Sequence, residues 1–410
     1  MLDQKTIDII KSTVPVLEQH GEAITKTFYE LMFKNHPELL NIFNHANQKQ
    51  GRQQKALAST VYAAAKYIDQ LDAIIPVVTQ IAHKHRSLGI KPEHYPIVGE
   101  HLLLAIKEVL QDAATEEIID AWAKAYAVIA DAFITVEQGM YEAAENQTGG
   151  WKDFKNFKVE KIVQESDCIK SFYFKPADGG EVTDYLPGQY ISLKLTNIPG
   201  QQFAHIRQYS LSTSPNKEYY RISVKREDEI NDKPAGVVST YLHNEVQAGD
   251  IVEISAPAGD FVFEENNGKS VLLLSGGVGI TPMLSMLNHL ADKNKQSVFV
   301  HAAINGNVHA FSDEVKQISQ NNEAITSFFC YEKPTDLDKE DKRFDKEGFI
   351  TADWLKNIVK DKDSIVYMCG PVIFMQAMFE ALIEAGFKRE NIRYEFFGPA
   401  MELKEPAHAK

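Results

Sequence analysis

Cysteine is scarce in this chain. Cys168, Cys330 and Cys369 are the only three in 410 residues, an odd number and widely spaced. That pattern excludes a disulfide framework or a cysteine-rich zinc site and suits a reducing compartment. Long apolar runs are missing too: no stretch approaches the ~18 residues of a transmembrane helix. Asp3, Lys5, Asp8 and Lys11 interrupt the apolar residues of Met1 to Leu17, so no signal-peptide core is present there. A cytoplasmic protein without stable membrane association is expected. Basic clusters are absent as well. Lys+Arg 43 against Asp+Glu 57 leave a formal charge of -14, and residues 1–145 hold 13 basic and 19 acidic side chains, so the excess is spread along the chain. A nucleic-acid surface has no electrostatic footprint here. Anionic ligands must be captured by local features.

Glycine and proline are thin in one region only. Residues 1–145 hold 5 of the 23 glycines and 5 of the 16 prolines, and apolar residues recur there at helical spacing. Helices are predicted over Asp3–His20, Glu22–Asn35, Lys49–Tyr67, Leu71–Arg86, Tyr95–Leu110 and Thr115–Asn146. After Gln147-Thr148-Gly149-Gly150 the pattern alternates, predicting strands at Phe157–Val163, Ile169–Phe174, Tyr190–Leu195, Tyr219–Val224 and Ile251–Ser255, with a helix near Val237–Val246. This reads as an antiparallel barrel. From Ser270 onward, apolar runs at Val271–Leu274, Ser297–Ala302, Ile325–Tyr331 and Ile365–Cys369 alternate with helical stretches, the rhythm of a parallel sheet. The fold class expected is therefore multidomain: an all-α domain at 1–146, an antiparallel β-barrel at 151–264 and a doubly wound α/β domain at 269–410.

Several motifs point to chemistry. Val271 to Leu274 lead into Ser275-Gly276-Gly277-Val278-Gly279-Ile280-Thr281-Pro282, a strand, a glycine turn and a helix start. Thr281 is expected to cap that helix with Pro282 in its first position, presenting N–H groups and the helix dipole to a pyrophosphate. Cys369-Gly370-Pro371 forms a second strand end before a helix. In the barrel, Arg207-Gln208-Tyr209-Ser210 follows Pro187-Gly188-Gln189-Tyr190, placing a phosphate-pairing cation beside an aromatic ring and a hydroxyl. Gly236-Val237-Val238-Ser239 opens a helix and supplies another anion site. Among the thirteen histidines, His85 lies two residues after His83 on an otherwise apolar helix.

The barrel and α/β motifs, with Glu395-Phe396-Phe397-Gly398-Pro399 near the end, resemble the ferredoxin-NADP reductase family. The helical region adds Tyr29, Phe43, Gln53, Leu57, His85, Tyr95 and Glu137 at intervals that resemble the globin portion of flavohemoglobins. The joined modules resemble that family over essentially the whole chain. The resemblance implies haem b on His85 as proximal iron ligand, with His83 a decoy. It implies a distal side made of Tyr29 as hydrogen-bond donor, Gln53 and Leu57, and Phe43 against the porphyrin. Tyr95 and Glu137 are then coupled to His85, and Lys84 stands near a haem propionate or Glu395. FAD is implied on Tyr190, Arg207 to Ser210 and Gly236 to Ser239, with Phe397 against its ring, and NAD(P)H on Gly276 to Pro282 and Cys369 to Pro371. NADH is favoured, since His301 to Phe311 contains neither Arg nor Lys. The implied activity is that of a nitric oxide dioxygenase acting as a monomer on nitric oxide and dioxygen. A flavin or haem reductase or oxidase, and a haem sensor or lipid-binding globin, are the alternatives.

Overall fold

The computed structural model describes residues 2–231, 233–265, 268–398 and 403. Its amino-terminal part is helical: α1 (Gln4–Ser12), α2 (Val14–Asn35), α3 (His45–Lys49), α4 (Arg52–Lys66), α5 (Ile75–Leu88), α6 (His94–Leu110) and α7 (Glu116–Glu145). Two predicted boundaries move. The first helix ends at Thr13 instead of His20, because Pro15 has no N–H with which to extend α1 but is tolerated in the first turn of α2. Gly21 lies inside α2, where a Cβ would meet that of Ala58 on α4 at 3.6 Å. The helix predicted from Lys49 starts instead at Arg52, where Gly51 in the left-handed conformation (φ 68°) separates it from the short, unpredicted α3. Helix α5 carries a proline in its first turn and ends on Gly89 at φ 77°, a left-handed cap that fixes where His85 stops short of the loop. Thr115 caps α7 by accepting from the Ile118 N–H, with Glu116 and Glu117 in the first turn.

The strand-rich middle consists of β1 (Phe154–Gln164), β2 (Ile169–Pro176), β3 (Tyr190–Leu195), β4 (His205–Ser210), β5 (Tyr220–Lys225), α8 (Val237–Asn244) and β6 (Ile251–Ser255). The strands run in the order β4-β3-β6-β1-β2-β5, and an antiparallel bridge between Leu211 and Ile222 links the end of β4 to β5. Strand β4 was not among the predicted strands. Its sequence, His-Ile-Arg-Gln-Tyr-Ser, lacks the apolar alternation by which a strand is recognised.

The carboxyl-terminal part alternates β7 (Val271–Gly276), α9 (Ile280–Asp292), β8 (Ser297–Ala303), α10 (Ser312–Asn321), β9 (Ile325–Tyr331), α11 (Asp336–Glu340), β10 (Lys346–Glu347), α12 (Ala352–Ile358), β11 (Ile365–Cys369), α13 (Val372–Glu384) and β12 (Ile392–Glu395). All pairings are parallel, in the order β10-β9-β8-β7-β11-β12. Both faces of the sheet are covered. Val271 and Leu273 pack with α9 on one face, while Leu272 and Leu274 pack with α12 and α13 on the other. The strand order reverses between β7 and β11, and the crevice at their carboxyl ends is where ligands bind in such sheets. By compactness the chain forms two units, one of residues 1–155, 192–207 and 253–258, the other of 156–191, 208–252 and 259–410.

A buried polar row crosses the α/β core. Ser275 Oγ lies 2.8 Å from His301 Nδ1, the His301 and His309 rings are 4.4 Å apart, and His309 Nδ1 pairs with the Tyr331 hydroxyl at 2.8 Å. Burial holds His301 down at about 3 and, with His301 beside it, His309 well below its ordinary value. Both are neutral when folded and bind protons below about pH 6.5 when unfolded, so their contribution is complete above that pH and lost as it falls. Stability should drop on acidification with a slope of about 1.4 kcal/mol per pH unit for each histidine. Denaturant titrations of the wild type and His301→Gln from pH 7.5 to 4.5 test this: the variant should lose one histidine's share of the slope, and parallel profiles would refute it.

Candidate functional site

Helices α5, α6 and α7 bring three predicted residues together. Glu137, 3% exposed in the middle of α7, offers one carboxylate oxygen to two partners: His85 Nδ1 at 2.7 Å and the Tyr95 hydroxyl at 2.6 Å. His85 Nδ1 and Tyr95 Oη are themselves 3.3 Å apart. Burial, reinforced by the Glu137 carboxylate, pushes the Tyr95 hydroxyl far above the phenol range, so it remains a donor. A carboxylate only accepts, which places the His85 proton on Nδ1 and leaves the Nε2 lone pair for a metal. The Phe133 ring lies 5.7 Å from the imidazole, and the His85 side chain keeps 31% exposure. His83 is half-buried on the same helix, and Lys84 directly precedes His85.

A second group gathers where α2 and α4 pack with the turn before α3. Tyr29, 7% exposed, stacks on Phe33 at 5.7 Å and meets Phe43 edge-on at 5.8 Å; Leu57 packs into the same apolar cluster. Burial pushes the Tyr29 hydroxyl well above its ordinary value. The Gln53 Oε1 is buried with no hydrogen-bond partner, an acceptor waiting for a donor. Gln48 and Gln54 were not predicted here. Gln54 Nε2 donates to Gln48 Oε1 at 2.9 Å, and Thr25 Oγ1, one turn before Tyr29, donates to the Gln54 carbonyl at 3.0 Å. The amide-rich run from Asn47 to Gln54 in an otherwise apolar region was the available signal.

In the antiparallel sheet, Arg207, Gln208 and Tyr209 are successive half-buried residues of β4, followed by buried Ser210; Tyr190 opens β3. Gly259 (φ 114°) has no room for a side chain, because a Cβ would lie 2.9 Å from the Tyr190 ring. Gly236 caps α8, as expected for an anion site, but the Ser239 hydroxyl is engaged within the protein, donating to the Gly236 carbonyl and accepting from the Glu227 N–H, both at 3.2 Å. Val238 is 2% exposed, so its side chain is spent on packing, whereas Val237 is exposed.

At the β7–β11 crevice the glycines divide by role. A Cβ on Gly279 would sit 2.2 Å from the Cys369 carbonyl oxygen, and Cβ atoms on Gly276 and Gly370 would strike the Phe374 ring at 2.9 and 2.6 Å. These three glycines serve helix–strand packing. Gly277 (φ 54°) alone of the four faces open space, directly before Val278. The predicted cap is corrected: Gly279 is the N-cap of α9, Ile280 the first helical residue and Thr281 the second, its hydroxyl donating to the Val278 carbonyl at 3.0 Å. Pro282 stands third instead of first, still within the turn whose N–H groups have no helical partner. Ile280, Thr281, Pro282 and Cys369 are core residues, so their side chains are spent on packing. Pro371 is exposed, Phe396 packs on Tyr394 at 5.6 Å, and Phe397, 48% exposed, presents its ring outward after Glu395. Gly398 is exposed, and Pro399 lies outside the described residues.

Glu137→Leu should cost about 1–3 kcal/mol of unfolding free energy, since it leaves the Tyr95 hydroxyl without its acceptor in a closed space. Urea unfolding followed by helical circular dichroism measures it, and an unchanged midpoint would mean that the shared-oxygen contact does not form.

Comparison with known proteins agrees with this geometry. The Globin family profile matches residues 26–133, the Oxidoreductase FAD-binding domain 156–263 and the Oxidoreductase NAD-binding domain 273–380. A Flavohemoprotein of Bacillus cereus is 57% identical over 406 residues, 98% of this chain and 100% of that one; the Flavohemoprotein of Bacillus subtilis is 53% identical over 407 residues, 99% and 100%. Among solved structures, the flavohemoglobin from Malassezia yamatoensis with bound FAD and heme superposes with a TM-score of 0.84 at 27% identity, over 97% of this chain and 100% of that chain. The Flavohem-like FAD/NAD binding domain of nitric oxide dioxygenase from Vibrio cholerae has a TM-score of 0.55 at 38% identity, over 60% of this chain and all of that one. Matched from end to end at this identity, with a helical, an antiparallel and a parallel part in the same succession, the chain belongs to the flavohemoprotein family.

Proposed function

We propose that this protein is a nitric oxide dioxygenase, combining nitric oxide, dioxygen and one electron into nitrate at a b-type haem, with NAD(P)H as electron source and FAD between them. The observation that supports it most directly is the Glu137 oxygen shared by His85 and Tyr95, since it turns a helix histidine into a basic, oriented metal ligand. Bound haem would supply the oxygen-binding iron, and bound FAD would take one hydride and release its two electrons singly. The residues fit these groups: the His85 Nε2 lone pair is left for iron, the Gln53 oxygen is buried without a partner, and Gly277 leaves backbone open at the nucleotide crevice.

The domains are 1–146 for haem, 151–264 for FAD and 269–410 for NAD(P)H. Glu137 holds the His85 Nδ1 proton and so raises electron density at Nε2, the atom that would ligate the iron. Tyr29 keeps its proton through the physiological range because burial raises its pKa, and donates it into the distal space beside Gln53, Leu57 and Phe43. Tyr190, Arg207 to Ser210 and the backbone of Gly236 to Ser239 bind FAD, while Gly276 to Pro282 and Cys369 to Pro371 orient NAD(P)H. The exposed Phe397 is assigned to cover the flavin face, with Phe396, Gly398 and Pro399 beside it in the sequence. Lys84 and Glu395 complete the set as charged positioning groups. NADH is favoured: Lys333, whose N–H bonds the Ile304 carbonyl at the end of β8, keeps its ammonium 3.5 Å from the Glu332 carboxylate. Among the described residues no helix is long and apolar enough to cross a membrane, and the three cysteines are unbridged. We place the protein in the cytoplasm as a monomer acting on small molecules.

The purified protein should show a Soret band that His85→Ala abolishes while flavin is retained, and should turn nitric oxide into nitrate with NADH under air. A colourless helical part, or no NADH-driven nitrate, would overturn the reading. Tyr29→Phe should speed dioxygen release about tenfold or more, the equivalent of a hydrogen bond of roughly 1.5 kcal/mol, read by stopped-flow displacement with carbon monoxide. NADH should exceed NADPH in kcat/KM by about tenfold, equivalent to ~1.4 kcal/mol.

A further inference from the structure

The last turn of α5 holds more than His85. The next two residues point elsewhere and are more deeply buried. Arg86, 7% exposed, sets Nη1 3.5 Å from the Ala256 carbonyl and donates from Nη2 to that of Pro257. Ser87, with no exposed surface, accepts from the Ser192 hydroxyl at 3.0 Å and donates to the Lys84 carbonyl at 2.8 Å. Ser192 belongs to β3, and its N–H donates to Oγ of Ser255, the last residue of β6, at 2.9 Å. Ala256 and Pro257 continue the chain beyond β6. The end of the His85 helix is thus bonded to β3 and to the segment that follows β6, and β3 is in turn the neighbour of β4, which contains Arg207. All of these residues belong to one compact unit.

The other side of the turn is held as well. The Tyr141 hydroxyl lies 3.3 Å from the Arg86 carbonyl and donates to the Ile90 carbonyl at 2.8 Å. Tyr141 is one turn of α7 beyond Glu137, so a single face of α7 grips the imidazole and the helix end together.

A buried guanidinium is an inefficient way to gain stability. Its desolvation is costly, and an apolar side chain of similar volume often serves as well or better. What a guanidinium adds is direction, because its planar fork of donors fixes the approach of two acceptors at once. We propose that Arg86, aided by Ser87 and Ser192, is a positioning clamp that registers the His85 helix against the strands beside the flavin-binding segment and thereby sets the rate of electron delivery to the haem. None of the three residues is among those assigned to either cofactor. It rests on the function proposed above.

The test is a stopped-flow mixing of NADH with the haem- and flavin-loaded protein under nitrogen, following flavin bleaching and the Soret shift separately. Arg86→Ala should slow the Soret shift about tenfold or more, as small misplacements of reacting groups do. Flavin bleaching, haem content and flavin-driven ferricyanide reduction should remain within about twofold of wild type, equivalent to ~0.4 kcal/mol. Arg86→Lys should recover part of the lost rate, and Ser192→Ala should slow the shift less than Arg86→Ala. A folded, haem-loaded Arg86→Ala protein with the wild-type Soret rate, or with both phases slowed equally, overturns the clamp. Should Arg86→Ala not accumulate folded, the other two variants decide: wild-type Soret rates in both overturn it, and a selectively slower shift in either supports it. A wild-type protein without a Soret band overturns the proposed function, and the clamp with it, and is distinguishable from the preceding results.

Discussion

A single carboxylate oxygen organises the helical part of this protein. Glu137 is almost fully enclosed, and an ionised carboxylate in such a place is tolerable only if donors reach it. Two do, from two other helices: the His85 ring nitrogen and the Tyr95 hydroxyl. Satisfying that one charge therefore fixes the distance between α5, α6 and α7, chooses the imidazole tautomer and keeps Tyr95 protonated. Tyr126, whose hydroxyl donates to the Tyr95 carbonyl at 2.6 Å, passes the constraint back to α7. The same requirement that stabilises a buried charge also prepares the opposite ring nitrogen for a metal, so folding and function draw on one interaction.

The fold was legible to the extent that each element was apolar on its own. Strands such as Val271 to Gly276, buried throughout, announce themselves. Strand β4 and strand β12 (Ile-Arg-Tyr-Glu) do not, since half their side chains are polar, and they are recognised only by the partners that hold them in the sheet. The helix break at Thr13 was misplaced because Gly21 looks like a terminator, whereas its contact with Ala58 shows it to be a point of close helix approach.

The site was legible in a different way. Periodicity alone leaves Tyr29, Phe43, Leu57 and Glu137 as core or surface residues of any helical bundle; only their joint spacing, compared with a family, singles them out. That comparison says nothing of Gln48 and Gln54, whose importance depends on which amide group faces which, a fact of three dimensions. Thr281 was misread for a local reason: a short 3-10 turn over Gly277–Gly279 takes up the residues before α9 and moves the cap two positions earlier.

The two compact units do not divide at the linker after residue 146. Residues 192–207 and 253–258, interior pieces of the antiparallel sheet, cohere with the helical segment. A chain severed near Gly150 would take from the Arg86 guanidinium the carbonyls of Ala256 and Pro257, and from Ser87 the hydroxyl of Ser192. A helical module and a strand module that look separable in sequence thus share one compact unit. In evolutionary terms the fusion is a ratchet, since any return to free-standing parts would forfeit these buried polar contacts.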